Sequence, residues 1–444
     1  MRTPVPQGLL AAVRKANTFA NPEYVRQLSS GRRSYVSPTV TTLREIDGWL
    51  HIPRGFGKRL HAMAGSMGIV PEWLDCRVES PATFPARLRE VSLRDYQERA
   101  VRESLIDTQG VIVSPTASGK TITALELIRR RGQKAVVLVH ARELARQWRE
   151  VIRARLGVEP GMIGDGQWLI GQQITVATIQ TLASRPEATT RLARSVGLVL
   201  VDECHHIPAE TFAEVIGLFP ARYRYGFTAT PDRGDGLGDI IHRLLGDVVA
   251  TVEAGEVLDI GGIVPAIIQV VPTGIQAKGI DPAKHGWSEF VSAITADAER
   301  NRLIAATVRK VANRRTLILT DRVEHAEELA RLLPGAVLVH GKLPAAKRAA
   351  AMSAMLEAQI TVGTKGLLGE GVDCSVWSCL AMACPMSGET PLRQAVGRVI
   401  RPAPGKKDGL TIDFLDDHPF AYGAFRKRRV VYNSQKWRVT NWRG

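Results

Sequence analysis

Val111-Ile112-Val113-Ser114-Pro115-Thr116-Ala117-Ser118-Gly119-Lys120-Thr121 sets a short apolar run directly against a turn that ends in Gly-Lys-Thr. The apolar triplet predicts a buried strand, and the residues after Lys120 predict a helix. A loop of this kind between a strand and a helix is the context of a Walker A phosphate loop. Main-chain N–H groups of Thr116, Ser118 and Gly119, with the helix N-terminus, would hold phosphate oxygens. Lys120 would bridge the β and γ phosphates and Thr121 would reach Mg²⁺. Ser114 stands where the first glycine is usual, and on this loop alone a chance Gly-Lys-Thr turn is the competing reading.

A second segment bears on that choice. Leu198-Val199-Leu200-Val201 is an apolar run that ends in Asp202-Glu203-Cys204-His205, about 80 residues beyond the loop. At the carboxyl end of such a strand Asp202 can hold the Mg²⁺ shell, and Glu203 can orient or deprotonate an attacking water. A solvated acidic turn is the other reading, but it leaves the coincidence with the phosphate loop unexplained. ATP and Mg²⁺ are the expected cofactors.

The segments around these motifs alternate between buried-strand runs and amphipathic helices. In residues 89–252 the runs are Val111–Val113, Ala135–Val139, Ile174–Ala177, Leu198–Val201 and Tyr225–Thr228. In residues 262–416 they are Thr316–Thr320, Ala336–Val339, Ile360–Val362, Cys379–Ala383 and Leu410–Phe414. Such alternation predicts α/β architecture with two tandem parallel sheets, of which only the first carries a phosphate loop. Glu253-Ala254-Gly255-Glu256 reads as a hinge between them. Residues 1–88, with short runs such as Val40–Leu43 and basic residues outnumbering acidic ones about two to one, read as a small α+β accessory domain. Residues 417–444 read as a separate basic tail, where Arg426-Lys427-Arg428-Arg429 is interleaved with Tyr422, Phe425, Tyr432, Trp437 and Trp442.

Composition sets wider bounds. The 444 residues are 45% hydrophobic and 23% charged, which describes a folded protein of two to four domains. No apolar run is long enough to span a bilayer, and residues 1–19 hold no long apolar stretch of the secretory kind, so a cytoplasmic protein is expected. The five cysteines have no zinc-ligand spacing and read as buried thiols. A net charge of +15 raises the expectation of a nucleic-acid partner, because Lys and Arg displace counterions from phosphates.

Taken together, the motifs resemble those of superfamily 2 helicases over roughly residues 90–416, which implies two RecA-like lobes. Leu93-Arg94-Asp95-Tyr96-Gln97 resembles the adenine-reading segment, with Arg94 and Gln97 at the nucleotide; an ordinary helix start is the competing reading. Val139–Leu144, with Arg142, and Ala177–Thr181, with Thr178 and Gln180, resemble segments that meet a nucleic-acid backbone, although each could be plain helix-cap chemistry. Thr228-Ala229-Thr230 resembles the motif that couples nucleotide and nucleic acid. Thr364–Asp373 resembles motif V, which implies Glu370, Gly371 and Asp373 near the ribose and Thr364 and Lys365 at nucleic acid. Gln394–Arg401 resembles motif VI. Arg398 and Arg401, three apart and read as one helix face, are then the arginines that reach the γ-phosphate.

The spellings DECH, Thr-Ala-Thr and Gln-Ala-Val-Gly-Arg are more similar to DNA translocases of the XPB-like and UvsW-like groups than to RNA-remodelling members. Arg233-Gly234-Asp235 departs from the Arg-Glu-Asp usual there. Ala20–Tyr24 and Leu50–Gly55 resemble segments before the motor in phage-type members. The resemblance implies an ATP-dependent helicase or translocase on branched, forked or duplex DNA, acting in recombination, repair or fork processing, with no membrane partner. An RNA helicase, or the motor subunit of a restriction or defence complex, remains open. Arg426 and Arg428 are expected near phosphate, with the tail aromatics packed or stacking.

Overall fold

Val136, Val137, Leu138 and Val139 are fully buried, as a strand must be when helices cover both faces of its sheet. They belong to a computed structural model that describes all residues except 1–4, 22–23, 25–26, 28–34, 116, 205–208, 230–237, 369–373, 387 and 442–444. The chain divides into two compact units, residues 1–115 with 119–253 and residues 254–444 with 116–118.

The first unit opens with the helix Gln7–Ala16 and four short strands: β1 (Thr18–Ala20), β2 (Thr39–Thr41), β3 (Arg44–Ile46) and β4 (Trp49–His51). β1 pairs with β2 and β3 with β4, both antiparallel. Asp47 and Gly48 take φ of 50° and 74°, the left-handed pair that a two-residue hairpin turn requires. Leu9, Val13, Leu50, Phe56, Leu60 and Ala64 form a small core.

The same unit continues into β5 (Gln109–Val113), β6 (Ala135–Val139), β7 (Gly161–Gly164), β8 (Gln167–Leu169), β9 (Ile174–Thr178), β10 (Leu198–Val201), β11 (Tyr223–Thr228) and β12 (Val248–Thr251). These strands form one sheet in the order β12-β5-β11-β10-β6-β9-β7-β8, parallel except for the β7–β8 pair. Each expected strand of this half is present, some longer by one or two residues.

The second unit holds β13 (Ala266–Pro272), β14 (Thr316–Thr320), β15 (Val337–Val339), β16 (Ile360–Thr364), β17 (Cys379–Met382), β18 (Gly409–Leu415) and β19 (Arg438–Asn441) in the order β15-β16-β14-β17-β18-β13-β19. The recorded pairings are all parallel. Two of these strands, β13 and β19, were not among the expected runs. The separate basic tail is corrected here. Residues 417–441 fold into the second unit as the helix Pro419–Ser434 and the edge strand β19, whose Arg438–Asn441 pairs with Ile267–Val270. Both sheets are mixed α/β of the RecA-like kind.

The N-terminal elements of the first unit are clamped to its sheet by Arg54. Its guanidinium donates to the Gln109 side chain and to the carbonyls of Ala221 and Arg222, the last at 2.7 Å. Burial, and then the neighbouring Arg77, lower its pKa to about 10, so it is charged at neutral pH. The chain at Gly55 lies so close that a Cβ there would stand 2.4 Å from the His242 carbonyl oxygen and 2.5 Å from the Gly246 nitrogen. Arg54→Ala, which strands buried carbonyls, should lower unfolding stability by about 2–4 kcal/mol in urea titration. Gly55→Ala should be destabilising as well, since backbone must move to admit the methyl group.

Candidate nucleotide site

The parallel order makes β5, β11 and β10 neighbours, so the turns at their carboxyl ends meet on one edge. Ser114 N–H donates to the Thr228 carbonyl at 2.9 Å, which fixes the start of the phosphate loop to the end of β11. Ala117 and Gly119 take φ of 67° and 81°. At 119 glycine is required twice over, because a Cβ would also stand 2.5 Å from Gln97 Nε2. Lys120 then opens the helix Lys120–Arg131, and Gly132 closes it in a left-handed cap. Three arginines in the last turn suit the helix dipole, whose positive end at the N-terminus is receptive to anions.

Lys120 Nζ lies 2.5 Å from Glu203 Oε1, with both side chains largely buried. Glu203 is held at φ 47°, a left-handed conformation that costs a non-glycine residue about 1–3 kcal/mol and directs the carboxylate back over the sheet edge. Asp202 is buried; its N–H donates to the Leu138 carbonyl at 2.9 Å, and its Oδ2 accepts the Trp148 indole N–H at 2.8 Å. Burial, and then repulsion from Glu203, raise the Asp202 pKa, opposed by Lys120 and the indole. A cation supplied to this edge would relieve that penalty. One buried carboxylate plus the half-buried Thr121 hydroxyl suits Mg²⁺, which keeps several waters and takes much of its shell from substrate phosphates. The residues therefore fit both ATP and Mg²⁺.

The remaining expected residues are placed as follows. Gln97 is buried against the loop, and its Oε1 accepts the Arg94 N–H at 3.0 Å; Arg94 Nη1 donates to Tyr96 Oη at 2.9 Å. Ser118 is buried. Arg142 is exposed at the start of the helix Arg142–Leu156, 4.0 Å from Asp165. The Thr178 hydroxyl is buried and shared with that of Thr181 at 2.8 Å, while Gln180 is exposed. Thr364 ends β16, and Lys365 pairs with Asp321 at 3.0 Å. Thr116, Glu370, Gly371, Asp373 and Trp442 lie outside the described residues, as do His205, Thr230 and 231–236.

Two expectations are corrected. The helix Glu389–Val399 carries Arg398, which is buried, but it ends before Arg401, so the two do not share a helix face. Arg428 does not face solvent with Arg426. It is buried, donates to both Asp413 oxygens at 2.9 and 2.8 Å and to the Met386 carbonyl at 3.0 Å, and shares Asp413 with the Tyr432 hydroxyl at 2.7 Å. Burial and then the Asp413 carboxylate raise the Tyr432 pKa, which keeps it a donor. The sequence held the signal: Ala421, Ala424, Arg428 and Val431 make one helical stripe. Trp148 is the residue at this edge that motif reading passed over.

Two parallel-sheet units, the first with a Gly-Lys-Thr turn beside the buried Asp202 and the half-buried Glu203, define a RecA-like fold. A family model described as Type III restriction enzyme, res subunit, matches residues 90–233. The DNA 3'-5' translocase XPB2 of Sulfurisphaera tokodaii is 37% identical over 166 residues, 37% of this chain and 37% of that protein. A probable helicase of Escherichia phage T5 is 26% identical over 385 residues, covering 84% of this chain and 81% of the phage protein. The solved structure of S. cerevisiae Dbp5 bound to RNA and ADP BeF3 has a TM-score of 0.58 at 16% identity, covering 78% of this chain and 89% of that one, a likeness of fold. The family model covers about a third of the chain, and the chain spans little more than a third of the archaeal translocase's length.

Arg428→Met, which leaves Asp413 buried without its cation, should cost about 3–5 kcal/mol in chemical denaturation. Arg426→Ala, on the exposed side of the same helix, should leave the midpoint within about 0.5 kcal/mol.

Proposed function

We propose that this chain is an ATP-driven helicase or translocase acting on branched, forked or duplex DNA. The observation that carries the reading is the Lys120–Glu203 pair, 2.5 Å apart at a helix N-terminus beside the buried Asp202. The lysine and the glutamate neutralise each other. Phosphate oxygens at the helix N-terminus are a stronger counter-charge for Lys120, so triphosphate binding transfers the lysine and frees Glu203 as a base for water. Asp202 and Thr121 would hold Mg²⁺, which would supply charge neutralisation on the phosphates. Arg398 and Arg401 are the proposed arginines that stabilise the charge developing as the terminal phosphate leaves. The Ser114–Thr228 hydrogen bond joins the phosphate loop to the strand end that leads into the Thr-Ala-Thr motif, which suits a link from nucleotide to nucleic acid.

The choice of DNA rests on the DECH, Thr-Ala-Thr and Gln-Ala-Val-Gly-Arg spellings and on the archaeal relative, which is named a DNA translocase. Arg142, Gln180 and Arg426 are exposed candidates for backbone contact; Thr364 and Lys365 are candidates at the second sheet. A motor subunit in a restriction complex is favoured by one observation, the family description that matches residues 90–233. Capture of a nuclease subunit from the native host would support that role.

ATP turnover should rise with forked or duplex DNA and not with RNA; stimulation by RNA alone would reject the DNA reading. Glu203→Gln should lower turnover by about 10²- to 10⁴-fold, and Lys120→Ala to background, with DNA affinity changed little. Unchanged turnover in either variant would remove the site.

A further inference from the structure

The helix Arg142–Leu156 buries Ala145, Trp148, Ile152 and Leu156, a stripe at spacings of three and four. Three of the four are the plain apolar residues that such a stripe needs. Trp148 adds an indole N–H, which in a buried place must find an acceptor. It finds Asp202 Oδ2 at 2.8 Å, and both residues are buried. No other side-chain hydrogen bond to the Asp202 carboxylate is recorded among the described residues, whereas its backbone is separately fixed through the Leu138 carbonyl.

We propose that Trp148 is the positioning residue for Asp202: its indole N–H holds Oδ2 and thereby leaves Oδ1 to face the Mg²⁺ shell. The proposal rests on the ATPase reading above and adds a residue to it. A carboxylate that ends a strand can rotate about Cβ–Cγ and offer either oxygen. A single donor at 2.8 Å restricts that rotation, because a carboxylate turned away from it would forfeit a charge-assisted hydrogen bond in a buried place. The arrangement matches the general habit of metal-binding carboxylates, whose second oxygen is hydrogen-bonded and thereby oriented. Trp148 sits at the seventh position of a helix whose first residue is Arg142, so the helix that bears a candidate nucleic-acid contact also sets the metal-holding oxygen.

Trp148→Phe keeps a ring in the stripe and deletes only the donor. Its melting temperature should stay within a few degrees of the parent. The Mg²⁺ concentration for half-maximal ATP turnover should rise at least about 10-fold, and kcat at saturating Mg²⁺ should fall by about 10- to 100-fold. A purely packing role would leave the Mg²⁺ dependence unchanged, and that result in a folded variant would overturn the proposal. A readout independent of turnover is the indole ¹H–¹⁵N cross-peak that disappears in Trp148→Phe. It should lie downfield, move on addition of Mg²⁺, and move upfield in Asp202→Asn. A cross-peak indifferent to Asp202→Asn would overturn the hydrogen bond itself. Should the parent protein fail to hydrolyse ATP, the ATPase reading falls, while the Mg²⁺ and Asp202→Asn responses of the cross-peak still decide the role of Trp148.

Discussion

A parallel sheet sends every strand-to-helix turn to the same edge, and hydrogen bonding makes β5, β11 and β10 adjacent. From that constraint the rest follows. The phosphate loop leaves β5, Thr228 ends β11, and Asp202 and Glu203 follow β10. The next strands along the same edge, β6 and β9, lead into Arg142 and Gln180. Groups far apart in sequence are thus strung along one line, in an order set by strand pairing. An antiparallel arrangement would have sent the end of β11 to the opposite edge and separated Thr228 from Ser114.

Burial makes these charges consequential. An acid or base out of water is tolerated only where a partner meets it. Lys120 and Glu203 meet each other, and Asp202 meets the Trp148 indole. In the second unit the same rule produces two arginine–aspartate pairs on and just beyond β18. Arg428 pairs with Asp413, while Arg300 donates to Asp416 Oδ1 at 2.7 Å and to the Ala383 carbonyl at 2.7 Å. The pairs differ in use. Those of the second unit also engage carbonyls, and at Asp413 a tyrosine, and act as fasteners. The pair in the first unit lies at a helix N-terminus, where an incoming anion can take one member from the other.

The N-terminal elements of the first unit are fastened by similar chemistry at the opposite edge of its sheet, since Gln109, Ala221 and Arg222 lie at or just before the starts of β5 and β11. Arg54 is a cation held by carbonyl and amide oxygens, with no phosphate in its role. The segment Leu50–Gly55, which resembles phage-type members, therefore has a packing reason for its Arg-Gly pair. Docking at the starts of the strands leaves their carboxyl ends to the phosphate loop and the acidic pair.

The amino-acid sequence by itself determined the fold class and the first half of the site. Buried-strand runs alternating with helices admit few arrangements, and Gly119-Lys120-Thr121 and Asp202-Glu203 are local patterns whose chemistry depends on the strand each one follows. It could not determine what depends on helical phase or on distant partners. Four consecutive basic residues, Arg426–Arg429, occupy more than three-quarters of a helical turn, so one of them must face inward; packing against Asp413 decided that it is Arg428. A run read as a tail became an edge strand because β13 offered a free row of hydrogen-bonding groups to Arg438–Asn441. Arg401 left the helix face of Arg398 because the helix stops at Val399. Trp148 looked like one more apolar residue of an amphipathic helix, and only the fold brought its N–H to the carboxylate 54 positions away. Strand pairing and burial, which act between residues far apart in the chain, made those decisions.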